Sequence, residues 1–339
     1  MIVHKELLIP SVIVKRTPPL NLITEAEIYF QHEYEKILSD VYLWEMKNVN
    51  ISADGIIFKG LNIYSQNLIS QQHRKDINLK YILKKYSRNK KIVLDKNETY
   101  LLVHHYWSMG YFHWMCDVLQ RLVAIRQLLP FCTLLIPDNY SLPFMSESLE
   151  LFFFKRIQIF PVNSYVNVAS LIIPDHIAVT GNYNIEIMTT LRKLFLSHYK
   201  DRSYSFGEKI FVSRKKATIR YIFNEEEVEN ELNLHGFKTV YFEDHNLEQQ
   251  IAIMQNARYL IGITGANMVN MMFMPVGSSV ILFNKSQNKN DNCYFSLANV
   301  FFHKFIYQFC HDQASHESDW KLIVDINKLK ENLKLMLGS

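Results

Sequence analysis

Apolar positions along this chain follow two rhythms, one of period two and one near 3.6, and their alternation lays out the elements. Residues 23–46 carry apolar side chains at helical spacing and predict a helix. From Asn50 to Ser70 polar and apolar residues alternate and turn at Gly55 and Gly60, which predicts short strands. Thr99–Trp107, TYLLVHHYW, reads as a strand, Ser108–Gly110 as a loop into a helix, and Thr133–Pro137, TLLIP, as the next strand. Further α/β pieces run to about Pro174. Glu186–Tyr199 predicts a helix that ends in the polar stretch KDRSYSFGEK.

The second half of the chain is more regular. Lys209–Ser213 predicts a strand. Asn224 then caps a helix with Glu227 as its capping-box partner, and Gly236 closes it. Lys238–Glu243 predicts a strand, and Asn246 with Gln249 a second capping box. ARYLIGI is a strand, followed by a TGAN turn, a helix through Met272 and Met274, a Pro275–Gly277 turn and the strand SSVILF. Strands alternating with helices of this length imply βαβ crossovers and parallel sheets, the signature of an α/β fold. The boundaries read from this pattern are an N-terminal domain over 1–185, a linker over 186–208 and a C-terminal domain over 209–339. The last helices of the chain could pack back on the first domain.

Three polar residues interrupt one of the most apolar helices. In YFHWMCDVLQRL, His113, Asp117 and Arg121 are spaced by four and form one lane beside the apolar stripe Trp114, Val118, Leu122 and Ile125. His113 lies in the first turn, just past the end of a strand, where a crevice is expected. A carboxylate beside an imidazole in a partly dry crevice suits general acid–base work. The bland reading is an Asp117–Arg121 helical pair with His113 in the core. A metal site drawing on His104, His105, His113 and Asp117 lacks an HxH or HxxxH pair to support it.

Two loops suit anions. SRKKATIR, Ser213–Arg220, follows a strand directly and gathers Arg214, Lys215, Lys216 and Arg220, the groups of a diphosphate clamp. The competing reading is a solvated loop paired with Glu225, Glu226 and Glu227. GITGAN, Gly262–Asn267, joins a strand to a helix. Gly265 allows close approach, the helix start offers free N–H groups, and Thr264, Asn267 and Asn270 add polar contacts.

Composition narrows the class. The chain has 339 residues, 48% hydrophobic and 13% aromatic, with a formal charge of +4, so it is globular and no nucleic-acid partner is implied. Cys116, Cys132, Cys293 and Cys310 show no metal or redox spacing, which fits a reducing compartment. The N-terminus lacks a signal-peptide pattern, and no run approaches a membrane span. The sequons at Asn50 and Asn97 are therefore read as unglycosylated. LFFFKRIQIF, Leu151–Phe160, sets phenylalanines beside Lys155 and Arg156 and reads as a buried element with a charged edge rather than a membrane patch.

The order and spacing of these stretches resemble the glycosyltransferase 61 family of bacterial capsule and surface-polysaccharide synthesis. GYFHWMCDVLQRL, SRKKATIRYIFNEEEV with GFKTVYFED and LEQQIAIMQNA, and GITGANMVNMMFMPVGSSVI carry the likeness, over about Leu101–Leu128 and Lys209–Phe283. The resemblance implies a GT-B architecture, two Rossmann-like domains with parallel sheets facing a cleft. It implies inverting transfer without a metal or other cofactor, from a nucleotide-diphosphate sugar, UDP-linked first, to a hydroxyl of a surface glycan or lipid-linked acceptor. It further implies that Ser213, Arg214, Lys215, Arg220, Glu243, Thr264, Gly265, Ala266, Asn267 and Asn270 bind donor. His105, Trp114 and Arg121 would lie on the acceptor side with His113 and Asp117; Asp117 is assigned as the base, oriented or assisted by His113, with the two roles open to exchange.

Thr264 and Asn267 stand where the family has His and Gly, and Leu282–Phe283 where it has an acidic residue; all three changes fall in the implied donor pocket. A cytoplasmic protein in peripheral contact with the inner membrane face is the expected setting. A catalytically degenerate GT-B scaffold of a polysaccharide assembly complex is the alternative, and a dehydrogenase built on TGAN fails for want of a third glycine and a Tyr-x-x-x-Lys partner.

Overall fold

The computed structural model describes residues 2–69, 75, 77–200, 203–217, 219–285, 292–313 and 320–338. Residue 70 of the expected strand region, 201 and 202 of the polar stretch and 218 of the basic loop lie outside them. The chain divides into two compact units, Met1–Val12 with Ile37–Thr180, and Ile13–Lys36 with Gly181–Ser339. Both are α/β with parallel strands.

The first unit is built on a nine-stranded sheet. Arg156–Phe160, Thr133–Pro137, Thr99–Leu101 and Ser164–Pro174 lie side by side and parallel. Lys90–Val93 also pairs parallel to Ser164–Pro174. On the far side the sheet turns antiparallel through Val41–Ser52, Ile57–Lys59 and Asn62–Tyr64, and Ile2–Ile9 joins Val41–Ser52. This sheet is therefore mixed. The helix expected over 23–46 is replaced by short helical turns at Thr24–Ala26, Glu27–Phe30 and Gln31–Glu33, then by the strands Glu35–Leu38 and Val41–Ser52. The sequence VYLWEMKNVNIS is rich in β-branched and aromatic residues, and Met46, Val49 and Ile51 fill the core with Tyr100, Leu135 and Val168. Sheet packing outweighs the helical spacing there.

The turns at Gly55 and Gly60 form as expected. Gly55 has φ +78, and a Cβ on it would lie 2.6 Å from the His104 carbonyl oxygen, so the turn presses on the chain leading to the site. The strand expected over Thr99–Trp107 is shorter, Thr99–Leu101, because the backbone leaves the ladder after Leu102 bonds Ile172.

In the second unit the strands lie in the order Tyr221–Ile222, Lys321–Ile323, Lys304–Asp312, Ser279–Lys285, Tyr259–Ile263, Lys209–Val212 and Lys238–Val240. The last five are parallel. In chain order they read second, first, third, fourth, fifth. Successive crossovers therefore run in opposite directions from Lys209–Val212 and Tyr259–Ile263, and a crevice opens at the carboxyl ends of that pair.

The helices are Ile185–His198, Glu225–Leu234, Leu247–Asn256, Cys293–Val300 and Ile326–Leu337. The Asn246–Gln249 capping box forms. The one expected at Asn224 does not. The Asn224 amide instead donates to the Val324 carbonyl at 2.9 Å and accepts from its N–H at 3.0 Å, so it ties the helix start to a neighbouring segment. The strand expected over Lys238–Glu243 ends at Val240, and the segment after TGAN, Ala266–Phe273, is a 3-10 helix.

Residues 13–36 are stitched into this unit. Buried Arg16 bonds Glu33 at 2.6 Å and Asn182 at 2.7 Å, and Phe30 packs against Phe295 and Tyr307. All four cysteines are free thiols. Among the described residues no helix is long and apolar enough to cross a membrane.

Candidate active site

Two members of the polar lane in the YFHWMCDVLQRL helix, His113 and Asp117, meet at the carboxyl ends of the first unit's parallel strands. Gly110 caps Tyr111–His113, the next turn widens to a π-helix over Trp114–Val118, and Leu119–Ala124 returns to α. Such π turns are uncommon and concentrate at functional sites. The Gln120 amide donates to the Cys116 carbonyl within this distorted stretch.

His113 Nδ1 lies 2.8 Å from Asp117 Oδ2. The Thr180 hydroxyl donates to the same oxygen at 3.2 Å, and His105 Nε2 faces it at 3.7 Å. His105 lies just past Thr99–Leu101, and His176 and Thr180 just past Ser164–Pro174, so the cluster sits at the carboxyl ends of two adjacent parallel strands. Burial pushes the Asp117 carboxyl above the usual carboxylate range, while His113, Thr180 and Arg121 pull it back. The His113 side chain keeps 24% of its surface exposed against 7% for Asp117. Trp107, itself exposed, holds its ring 5.2 Å from that of His113.

Arg121 points elsewhere. It is fully buried, and the Asp117–Arg121 pair of the bland reading does not form: the ion-pair partners of Asp117 among the described residues are His105 and His113. Its Nε donates to the Pro174 carbonyl at 3.0 Å, as does Nη2, and Nη1 donates to the Val103 carbonyl at 2.7 Å and to Asn67 at 2.8 Å. The π turn separates Asp117 from Arg121 in direction, which a constant 3.6 period hides. Trp114 is also fully buried, donating to Ser148 at 2.8 Å. His105, His113 and Asp117 place one ligand-type atom each within 4.8 Å of one another, and His104 is not part of that set.

In the second unit both anion-suited loops meet at the crevice between Lys209–Val212 and Tyr259–Ile263. Arg214 Nε donates to the Arg220 carbonyl at 3.1 Å and Nη2 to that of Ile219 at 3.3 Å, which folds the basic loop back on itself. Its Nη1 reaches the turn, where a Cβ on Gly265 would lie 2.6 Å away. Burial lowers the Arg214 pKa and Glu243 raises it. Ser213 donates to buried Glu225 and accepts the Lys215 N–H at 3.1 Å.

Glu225 thus braces the loop rather than neutralising it, and of the loop cations only Lys216 forms an ion pair among the described residues, with Asp244 at 2.6 Å. Arg220 adopts φ +59 and stacks on Trp320. Asn267 donates to Glu243 at 3.4 Å, buried Asn270 to Gln250 at 2.8 Å, and the Thr264 side chain is buried. Ala266 opens the 3-10 helix.

Sequence reasoning missed Thr180, His176 and Asn67 as parts of these sites, and offered Glu225 only as an ion-pair partner of the basic loop. Thr180 and His176 carry no motif; their only signal is position just beyond a strand parallel to Thr99–Leu101, and that pairing is not visible in one sequence.

The model of the family described as Glycosyltransferase 61 matches residues 111–281, just over half of the chain, and takes in the His113–Asp117 pair and both anion-suited loops. No curated protein matches the chain.

Proposed function

Because the chain belongs to the glycosyltransferase 61 family, we propose that its two clusters divide an inverting sugar transfer, the first unit activating the acceptor hydroxyl and the second holding a nucleotide-diphosphate donor. The division is that of a GT-B enzyme. The observation that carries the reading is the His113–Asp117 hydrogen bond of 2.8 Å, made by a half-buried imidazole and a buried carboxylate.

Asp117 accepts from His113 Nδ1–H, which leaves the lone pair on Nε2 to take the proton of an attacking hydroxyl. The acceptor oxygen then bonds the anomeric carbon as the bond from that carbon to the diphosphate oxygen breaks. The proton stays on His113, and Asp117 stabilises the imidazolium. In this reading His113 is the base and Asp117 its orienting partner, the reverse of the assignment made from sequence. The buried carboxylate fixes the Nδ1 proton and the orientation of the ring.

The leaving diphosphate gains charge, which Arg214 and Lys215 can absorb together with the N–H groups that follow Gly265. These cations supply the role that a divalent ion has in other transferases, so the reading uses no metal. The donor is a nucleotide-diphosphate sugar, UDP-linked first, and the acceptor a surface glycan or lipid-linked saccharide met at the inner membrane face of a bacterium.

The test is donor hydrolysis and transfer with a panel of nucleotide sugars. His113→Ala should lower turnover by about 10²–10⁴-fold, and Asp117→Asn should follow it, with nucleotide-diphosphate affinity unchanged in both. Near-normal turnover in either variant overturns the assignment. A wild-type chain that binds nucleotides but hydrolyses none would instead be a scaffold.

A further inference from the structure

One imidazole beside the dyad has no part in the transfer as described. His105 is fully buried, and its backbone is fixed from three sides. Its N–H donates to Ser108 Oγ at 2.8 Å, and its carbonyl accepts from the Ser108 N–H at 2.9 Å and from the Tyr140 hydroxyl at 3.2 Å. Gly55 packs behind it, with room for no side chain.

The ring is oriented as firmly. The Trp107 N–H donates to His105 Nδ1 at 3.3 Å, so that nitrogen carries a lone pair. A neutral imidazole has one N–H, and here it must be on Nε2. Nε2 faces Asp117 Oδ2 at 3.7 Å and has no hydrogen-bond partner among the described residues. An imidazolium would carry hydrogen on both nitrogens, so the lone pair that accepts the Trp107 N–H at Nδ1 marks the ring as neutral.

The same tautomer bears on metal binding. A cation at Nε2 needs the lone pair there and the proton on Nδ1, as metal-bound histidines show by donating from their other nitrogen. At His105 that position is filled by a donor, the Trp107 N–H. A ring flip would put carbon against that N–H.

We propose that His105 is a positioning residue, a locked neutral imidazole whose Nε2–H keeps the Asp117 carboxylate turned toward His113 and closes the three-residue cluster to metal ions. The effect on turnover rests on the transferase reading above; the tautomer and the metal exclusion do not. Hydrogen bonds from His113 and Thr180 then meet on one carboxylate oxygen, with the His105 Nε2–H facing it at 3.7 Å.

Ring-nitrogen NMR of the full-length chain labelled at histidine tests this directly. The His105 signals should show hydrogen on Nε2 at neutral pH and should not move when equimolar Zn²⁺ is added. His105→Leu should shift the His113 Nδ1–H resonance and lower kcat for donor hydrolysis about 10-fold with KM unchanged. His105→Gln, whose amide N–H can reach toward Asp117, should restore most of both.

Hydrogen on Nδ1 of His105, or a joint Zn²⁺-induced shift of His105 and His113, would overturn the proposal. So would a leucine variant with an unaltered His113 resonance and kcat. Should that variant not fold, the wild-type tautomer and its response to Zn²⁺ decide alone. Retained turnover in His113→Ala would sink the base assignment while leaving the tautomer result standing.

Discussion

The Arg214 guanidinium occupies the space that a side chain at Gly265 would need, with Nη1 2.6 Å from where its Cβ would stand. The backbone at Gly265 is extended, a conformation open to any residue, so the glycine serves the approach of Arg214 rather than a strained turn. The contact joins the basic loop to the glycine turn across the point where the sheet's crossovers diverge.

Gly265→Ala should therefore displace Arg214 and weaken nucleotide-diphosphate binding by about 10-fold, the effect of losing roughly one charge-assisted contact. Thermal stability should change little, because the long side chain can swing away. Isothermal calorimetry with UDP and a melting curve on the same sample separate the two; wild-type affinity would remove Arg214 from the donor site.

Arg121 is a brace. Its guanidinium satisfies the carbonyls of Val103 and Pro174, which lie just beyond Leu101 and at the end of Ser164–Pro174. Burial lowers its pKa to about 10, still far above neutral, so the cation persists. Arg121→Met leaves buried carbonyls without donors and should cost on the order of 3–5 kcal/mol. Urea unfolding measures this, and a loss below about 1 kcal/mol would show that water replaces the guanidinium.

Acid should destabilise the fold through its buried histidines, His104 and His303 among them. Burial drives both His104 and His303 from 6.5 to about 4. The unfolded chain takes up these protons near 6.5 and the folded chain only near 4. Their contribution is therefore complete above the unfolded value and is lost as pH falls through that window, by up to about 3 kcal/mol per histidine. Asp117, Asp175 and Glu225 are raised by burial and act in the opposite sense from below, so the histidine contribution reads most cleanly at the neutral end. Urea midpoints should fall as pH drops from about 7 to about 5.5, and a flat profile would show that the unfolded state protects these rings.

The exposed ring of Trp107 beside His113 offers a flat apolar face where an acceptor sugar would sit. Trp107→Ala should raise the acceptor KM several-fold with a smaller change in donor hydrolysis, consistent with about 1–2 kcal/mol of lost ring contact. The Trp107 backbone N–H survives this substitution, so His105 keeps its tautomer. Equal losses in both assays would place the ring in the fold rather than at the acceptor.

Much of the second unit is legible in its sequence because each βα step is short and punctuated, as Asn246, Gln249 and Gly236 show. The pairing of His113 with Asp117 is legible too, since four residues separate them on one helix. What periodicity misses is non-local. Val41–Ser52 becomes a strand because Ser164–Pro174 pairs with it, more than a hundred residues away. Arg121 leaves Asp117 because a π turn intervenes and because two distant carbonyls lack donors. Asn224 abandons its cap for Val324, a hundred residues on.

The stitching of residues 13–36 into the second unit sets an order of assembly. This segment is made before residues 37–180, yet Phe30 must wait for Phe295 and Tyr307, which are made well after them. Residues 37–180 can complete their own unit in the interval. A fragment started at Gly181 would lack the segment and uncover aromatic faces, so expression of that half alone should give aggregate unless residues 13–36 are fused or added back in trans.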